Sequence, residues 1–133
     1  MAADAAARVA KAEGHALVGV RNTRHCGMLG YYAARAAQQG VIALMFADCS
    51  PLVAPWGGRE PVLGTNPLAA AFPHEPHPIL IDLGTSAITY GAVNRIRHAG
   101  GSLPPDVAVD DAGEVTTDPD AAVSYTHLRA HET

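Results

Sequence analysis

Between residues 48 and 78 the chain carries seven of its ten prolines, at 51, 55, 61, 67, 73, 76 and 78. Glycines at 57, 58 and 64 add further breaks. No long helix can pass through such a stretch, because each proline lacks a backbone donor and clashes with the preceding turn. The stretch is nevertheless rich in apolar residues, which predicts an ordered, shaped loop in place of a linker. Regular elements must lie on either side of it or in short pieces between its breakers. Residues 68–72, Leu-Ala-Ala-Ala-Phe, read as one such piece, a short strand.

On the N-terminal side, residues 2–13 are Ala-rich and helical in pattern, with Gly14 as the stop. Residues 16–20 read as a short buried strand. Residues 28–39 read as a helix with Leu29, Tyr32, Ala33, Ala36 and Ala37 on one face and Gly40 at its end. Residues 41–47 are continuously apolar, as in a strand buried on both faces. Strand, helix and strand in this order predict a right-handed βαβ unit. On the C-terminal side, residues 79–83 read as a strand. A helix is expected from a cap at Thr85 or Ser86 to about His98, where Gly100-Gly101 stops it. Residues 107–110 and 114–117 read as a strand, turn and strand, and Asp118-Pro119 as the opening of another helix. The expected class is α/β, a mixed β-sheet with flanking helices.

A formal net charge of −4 and 5% aromatic residues give no footing for nucleic acid or an anionic membrane. The apolar run 41–47 is too short to span a bilayer, and the N-terminus is too polar for a signal peptide. Cys26 and Cys49 make neither a disulfide framework nor a zinc pattern. Unpaired thiols suit a reducing compartment, so a cytoplasmic location is expected. His15, His74, His77 and His98 show no metal-ligand spacing, and no metal is expected.

A dinucleotide fingerprint Gly-x-Gly-x-x-Gly is absent, as is a Walker sequence; only Gly27-x-x-Gly30 occurs. Chemistry is more legible in three other places. His25 stands between the end of an expected strand and the start of a helix, where side chains of α/β folds face ligands. An imidazole there can move protons near neutral pH, and N–H groups around Gly27 can face an anion. It can equally make a local turn bond at the surface. Thr65 and Asn66 offer short hydrogen-bonding groups to a substrate, or stitches to their own loop backbone. Asp82 closes an apolar strand and can accept from a ribose hydroxyl, orient a partner group, or simply serve as a capping carboxylate for a helix. Thr85 and Ser86 follow with N–H groups that can hold phosphate or simply cap a helix.

Residues 123–133 do not continue the pattern before them. They resemble a translated sequencing-adapter read-through found at the ends of unrelated gene models, and are expected to be an artefactual tail. His127 and His131 are therefore set aside.

The segments Arg24-His-Cys-Gly27, Ala54-Pro-Trp-Gly-Gly58, Gly64-Thr-Asn-Pro-Leu68 and Asp82-Leu-Gly-Thr-Ser86, continued by residues 110–119, occur in an order that resembles one family. It is the malate/L-lactate dehydrogenase family outside the Rossmann superfamily, with ureidoglycolate, sulfolactate and diketogulonate dehydrogenases or reductases among its relatives. The resemblance covers about residues 5–122. It implies a non-Rossmann NAD(P)-binding fold and a hydride transfer between NAD or NADP and a 2-hydroxy acid or 2-oxo acid. It implies a homodimer for the full-length protein. His25 matches a histidine that is the proton acceptor in some members. Cys49 falls where relatives often place a serine at the cofactor. Asp82, Leu83 and Gly84, with Thr85 and Ser86, match a cofactor-binding stretch, Gly84 replacing the usual alanine. Members also have an earlier segment with another active-site histidine, the rival to His25 for the proton role, and an arginine that suits a substrate carboxylate, and a later one with a cofactor-binding lysine; the single lysine here, Lys11, stands elsewhere. Residues 1–122 are thus expected to be the central NAD(P)-binding part of an incomplete fold, inactive by itself. The competing reading is a non-catalytic small α/β module that binds an acidic metabolite or a partner chain.

Overall fold

Alanine dominates the first thirteen residues, and the computed structural model places a helix there, α1 (Ala2–Glu13). Gly14 ends it in the left-handed conformation, φ 86°, its N–H returning to the Ala10 carbonyl. The structure describes residues 1–55 and 57–126, so Trp56 of the Pro-Trp-Gly-Gly motif lies outside the described residues. These residues form two compact units, Met1–Phe46 with Pro67–Leu83, and Ala47–Asn66 with Gly84 onward.

The first unit holds α1, α2 (Leu29–Ala37), β1 (Ala43–Phe46), β3 (Leu68–Phe72) and β4 (Ile79–Leu83). Its sheet runs in the order β1-β3-β4, and both pairings are antiparallel. Helix α2 packs on this sheet and α1 packs on α2. The contact layer is nearly all alanine, with Ala33, Ala36 and Ala37 of α2 against Ala69 and Ala71 of β3, all buried. Small side chains let helix and sheet approach closely, but each removes little apolar area from water. The arginine of α2 adds a tie between helices, Arg35 Nε donating to Asp4 Oδ1 at 2.7 Å.

Three expectations fail in this unit. Residues 16–20 are not a strand: they pair with nothing among the described residues, and Leu17 is 98% exposed. A strand-like composition makes a strand only where a partner edge offers hydrogen bonds. Without it there is no βαβ unit, and the sheet is antiparallel instead. Nor is β1 buried on both faces. Leu44 and Phe46 point away from α2 and are 62% and 69% exposed, and Ile79, Ile81 and Leu83 of β4 are exposed as well.

The second unit contains β2 (Val53–Ala54), α3 (Tyr90–His98), β5 (Ala108–Val109) and β6 (Ser124–Thr126). Here β6 lies between β2, to which it is parallel, and β5, to which it is antiparallel. Val53, Ile88, Val93, Leu103, Ala108 and Tyr125 form its core. The chain is thus α/β with mixed strand pairing, as its sequence predicts. Helix α3, however, starts at Tyr90, with Thr89 as its cap accepting from the Ala92 N–H at 3.2 Å. Residues 85–88 are held out of the helix by bonds elsewhere, including Ala87 N–H to the Thr126 carbonyl at 2.9 Å. The turn at 110–114 forms as expected, Asp110 Oδ1 accepting from Ala112 and Glu114 N–H, although its second arm is reduced to one bridge, Val109 to Val115. No helix follows Asp118-Pro119 among the described residues; Asp118 Oδ1 accepts from Asp120 N–H at 2.8 Å in a turn. Residues 124–126, set apart by sequence, are strand β6, with the Tyr125 side chain in the core. An open pair of edges accepts any strand-prone segment, whatever its origin. Residues 127–133, the rest of the segment expected to be an artefactual tail, lie outside the described residues, His127 and His131 included.

Candidate functional site

His25 lies on an irregular segment, residues 21–28, that leads into α2, and it is exposed. The segment is irregular because Asn22 and Gly27 both take positive φ, 59° and 75°. Gly27 turns the chain two residues after His25, a conformation that favours glycine. The segment is not loose at its helix end. Tyr32 Oη donates to the Cys26 carbonyl at 3.0 Å, one residue from the imidazole. Two residues into α2, the Gly30 N–H donates to Asp82 Oδ2 at 2.9 Å.

Asp82 itself comes from β4, on the sheet face that α2 covers, paired with Ala69. One of its oxygens therefore caps the first turn of α2, the structural alternative that the sequence leaves open for this carboxylate. Its other oxygen carries no hydrogen bond among the described residues. Leu83 is the last residue of β4 and is exposed. Gly30 belongs to this arrangement and was not singled out as a site residue by sequence. The available signal was a glycine in the first turn of a helix, where an alanine would serve the helix better.

In the second unit the Thr65-Asn66 pair stitches three stretches together. Asn66 Oδ1 accepts from the Cys49 N–H at 3.0 Å, with Asn66 at φ 31°. Thr65 offers its carbonyl to both the N–H (2.9 Å) and the Oγ1 (3.1 Å) of Thr85. A side chain at Gly64 would run into the Asn66 carboxamide and the Cys49 carbonyl, so the close approach of these loop stretches requires glycine. The loop reading of Thr65 and Asn66 accounts for these bonds without a substrate. Ser86 is buried and its Oγ donates to the Ile88 carbonyl at 2.6 Å. The structure thus engages the Thr85 N–H and both hydroxyls, while no bond to the Ser86 N–H is found among the described residues. The helix whose N-terminus Thr85 and Ser86 were to form begins at Tyr90. Gly84 has room: a Cβ there would meet Thr65 O and Thr89 Cγ2 at 3.5 Å, ordinary contact distances, so the alanine common in the resembled family would fit.

The residues that fit a nicotinamide dinucleotide can be judged from this donor set. An uncommitted Asp82 oxygen is an acceptor suited to a ribose hydroxyl. The half-buried Cys49 thiol is a weak donor. The Thr85 N–H is spent on the Thr65 carbonyl and is not offered to a phosphate. Two surface clefts follow α1, one along Met1, Asp4 and Arg8 and the other along Ala7, His15 and Ile42. Neither includes His25, Cys49 or Asp82. Among the described residues no cluster of His, Cys, Asp and Glu could hold a metal ion, and no helix is long and apolar enough to cross a membrane.

A family model described as malate/L-lactate dehydrogenase matches residues 1–130. Among curated proteins, the malate dehydrogenase of Pyrococcus abyssi is 42% identical over 107 residues, which is 80% of this chain and 30% of that protein. The (2R)-3-sulfolactate dehydrogenase (NADP(+)) of Chromohalobacter salexigens is 38% identical over 117 residues, 87% of this chain and 35% of that one. The crystal structure of malate dehydrogenase from Entamoeba histolytica superposes with a TM-score of 0.87 at 31% identity, covering 96% of this chain and 38% of that chain. The chain therefore spans about a third of the length of the curated relatives it matches.

Proposed function

We propose, for a chain that belongs to the malate/L-lactate dehydrogenase family, that the whole protein interconverts 2-hydroxy acids and 2-oxo acids with NAD or NADP. His25 carries this reading: it is an exposed imidazole beside a backbone that Tyr32 and Asp82 tie down at Cys26 and Gly30. Oxidising a 2-hydroxy acid removes a proton from its hydroxyl and a hydride from C2. His25 takes that proton in the oxidative direction and returns it in the reductive one. The nicotinamide supplies the hydride acceptor or donor when bound.

The stretch 82–86 and Cys49 are proposed to serve the cofactor. Asp82 accepts from a ribose hydroxyl with its uncommitted oxygen, and the Leu83 and Gly84 backbone lies beside it in sequence. Thr85 and Ser86 act by shaping this stretch, since their hydroxyls bond Thr65 and Ile88 carbonyls. The names of the relatives guide the substrate class: malate and sulfolactate are both 2-hydroxy acids with a second anionic group. We place the whole protein in the cytoplasm as a homodimer, on the strength of its free thiols and the exposed apolar face of β1-β3-β4.

The test is a hydride-transfer screen of the whole protein against a panel of 2-oxo acids with NADH and NADPH, run beside His25→Ala. Turnover in the variant should fall roughly a hundredfold or more with unchanged circular dichroism. Turnover near wild type would remove His25 from the chemistry.

A further inference from the structure

Helix α2 begins where the His25 segment ends, and the usual device for starting a helix is missing there. Its cap residue, Met28, has no side-chain acceptor for the first-turn N–H groups. The acceptor comes from another element, Asp82 of β4, 52 residues away, at 2.9 Å from the Gly30 nitrogen. The fit is tight: a Cβ on Gly30 would lie 2.6 Å from the same oxygen. A cap supplied by the residue before a helix stabilises the helix wherever the helix goes. A cap supplied from the sheet also sets where the first turn sits on the sheet. Tyr32, one turn into α2, reaches back to the Cys26 carbonyl at 3.0 Å. Between the tied positions, Cys26 and Gly30, lie three residues, 27–29, and His25 is the next residue outward from Cys26.

We propose that Asp82 and Tyr32 are positioning residues for His25: Asp82 pins the start of α2 to β4 through Gly30, and Tyr32 pins the backbone beside the imidazole. This rests on the proton role given to His25 above. It is separate from the contact proposed between Asp82 and the cofactor, because it uses the other carboxylate oxygen. Proton transfer needs the imidazole within hydrogen-bond reach of the substrate hydroxyl, and misplacement by about 1 Å can cost on the order of a hundredfold in rate. Cutting one tie of two should give a smaller loss, about tenfold.

The experiment compares Tyr32→Phe, Asp82→Ala, Asp82→Asn and His25→Ala in the whole protein, reading kcat, KM for cofactor, the pH profile of kcat, and hydrogen exchange over residues 26–30. Tyr32→Phe should lower kcat about tenfold, leave cofactor KM unchanged, and displace the limb of the pH profile that His25→Ala abolishes. Asp82→Ala should lower kcat and displace the limb in the same way and also raise cofactor KM, and Asp82→Asn, whose carboxamide oxygen still accepts from Gly30, should regain kcat and the limb relative to Asp82→Ala, whatever its cofactor KM. Exchange over residues 26–30 should quicken in Tyr32→Phe and Asp82→Ala. Quicker exchange with wild-type kcat and an unmoved limb would overturn the positioning role alone and leave a plain structural tie. Unchanged exchange would overturn the ties themselves. Wild-type turnover in His25→Ala would instead overturn the proton role on which the proposal rests.

Discussion

Gly30→Ala is expected to destabilise the protein, against the usual sign for such a change in a helix. Replacing glycine by alanine inside a helix ordinarily gains about 0.5–1 kcal/mol, through the lower entropy of the unfolded chain. Here the new methyl would sit 2.6 Å from Asp82 Oδ2 and 3.0 Å from both its Cβ and Cγ. The carboxylate must move, and with it goes the bond to the Gly30 N–H. A hydrogen bond to a charged group contributes about 1.5–3 kcal/mol, and a helix cap about 0.5–2. The loss exceeds the gain, so the net cost should be about 1 kcal/mol. In an Asp82→Ala background the bond is already gone. Only the Cβ contact at 3.0 Å remains, which calls for a shift of a few tenths of an ångström, and the same substitution should then be close to neutral. The coupling between the two sites is thus at least about 1 kcal/mol. Denaturant unfolding of the four forms of the whole protein, followed by circular dichroism, measures it, provided the slopes agree. An equal effect of Gly30→Ala in both backgrounds, or a gain in the wild type, would refute the reasoning.

Three further outcomes are expected. The hydrogen bond from Arg35 holds the Asp4 carboxyl below its usual range, so its contribution to α1–α2 docking is present above the unfolded-state value and lost as pH falls through the lower folded one; Asp4→Asn should flatten that acid dependence of the melting temperature, and an unaltered pH profile would contradict it. Ser124 is fully buried with a hydroxyl that finds no hydrogen-bond partner among the described residues, so Ser124→Ala should stabilise the second unit by about 1 kcal/mol in urea unfolding, whereas a loss would show that the hydroxyl is used. The 133-residue chain by itself should show no NADH-dependent reduction of 2-oxo acids and should associate in sedimentation, through Leu44, Phe46, Ile79, Ile81 and Leu83; a monomer with a sharp unfolding transition would refute this.

Local signals were enough for α1, α2, β3 and β4, because each is written in a short window: alanine runs ended by Gly14 and Gly40, and apolar runs bounded by prolines or by Gly84. The ordered motifs around His25, Gly64, Asn66 and Asp82 were also legible, and with them the family. What a window does not contain is the partner of a strand. Residues 16–20 have the composition of a strand and pair with nothing among the described residues, while residues 124–126, which break the pattern before them, find two open edges and pair with both. Residues 85–88 would start a helix by their own capping chemistry, but bonds to Thr65 and Thr126 hold them outside it. The same holds at the candidate site. Asp82 and Gly30 stand 52 residues apart, and only the antiparallel sheet, with α2 laid across it, brings one carboxylate oxygen to that single N–H. Hydrogen bonds of this kind are set by position in space, so the sequence determined which groups were available and the tertiary structure decided which of them were spent on the fold and which were left for chemistry.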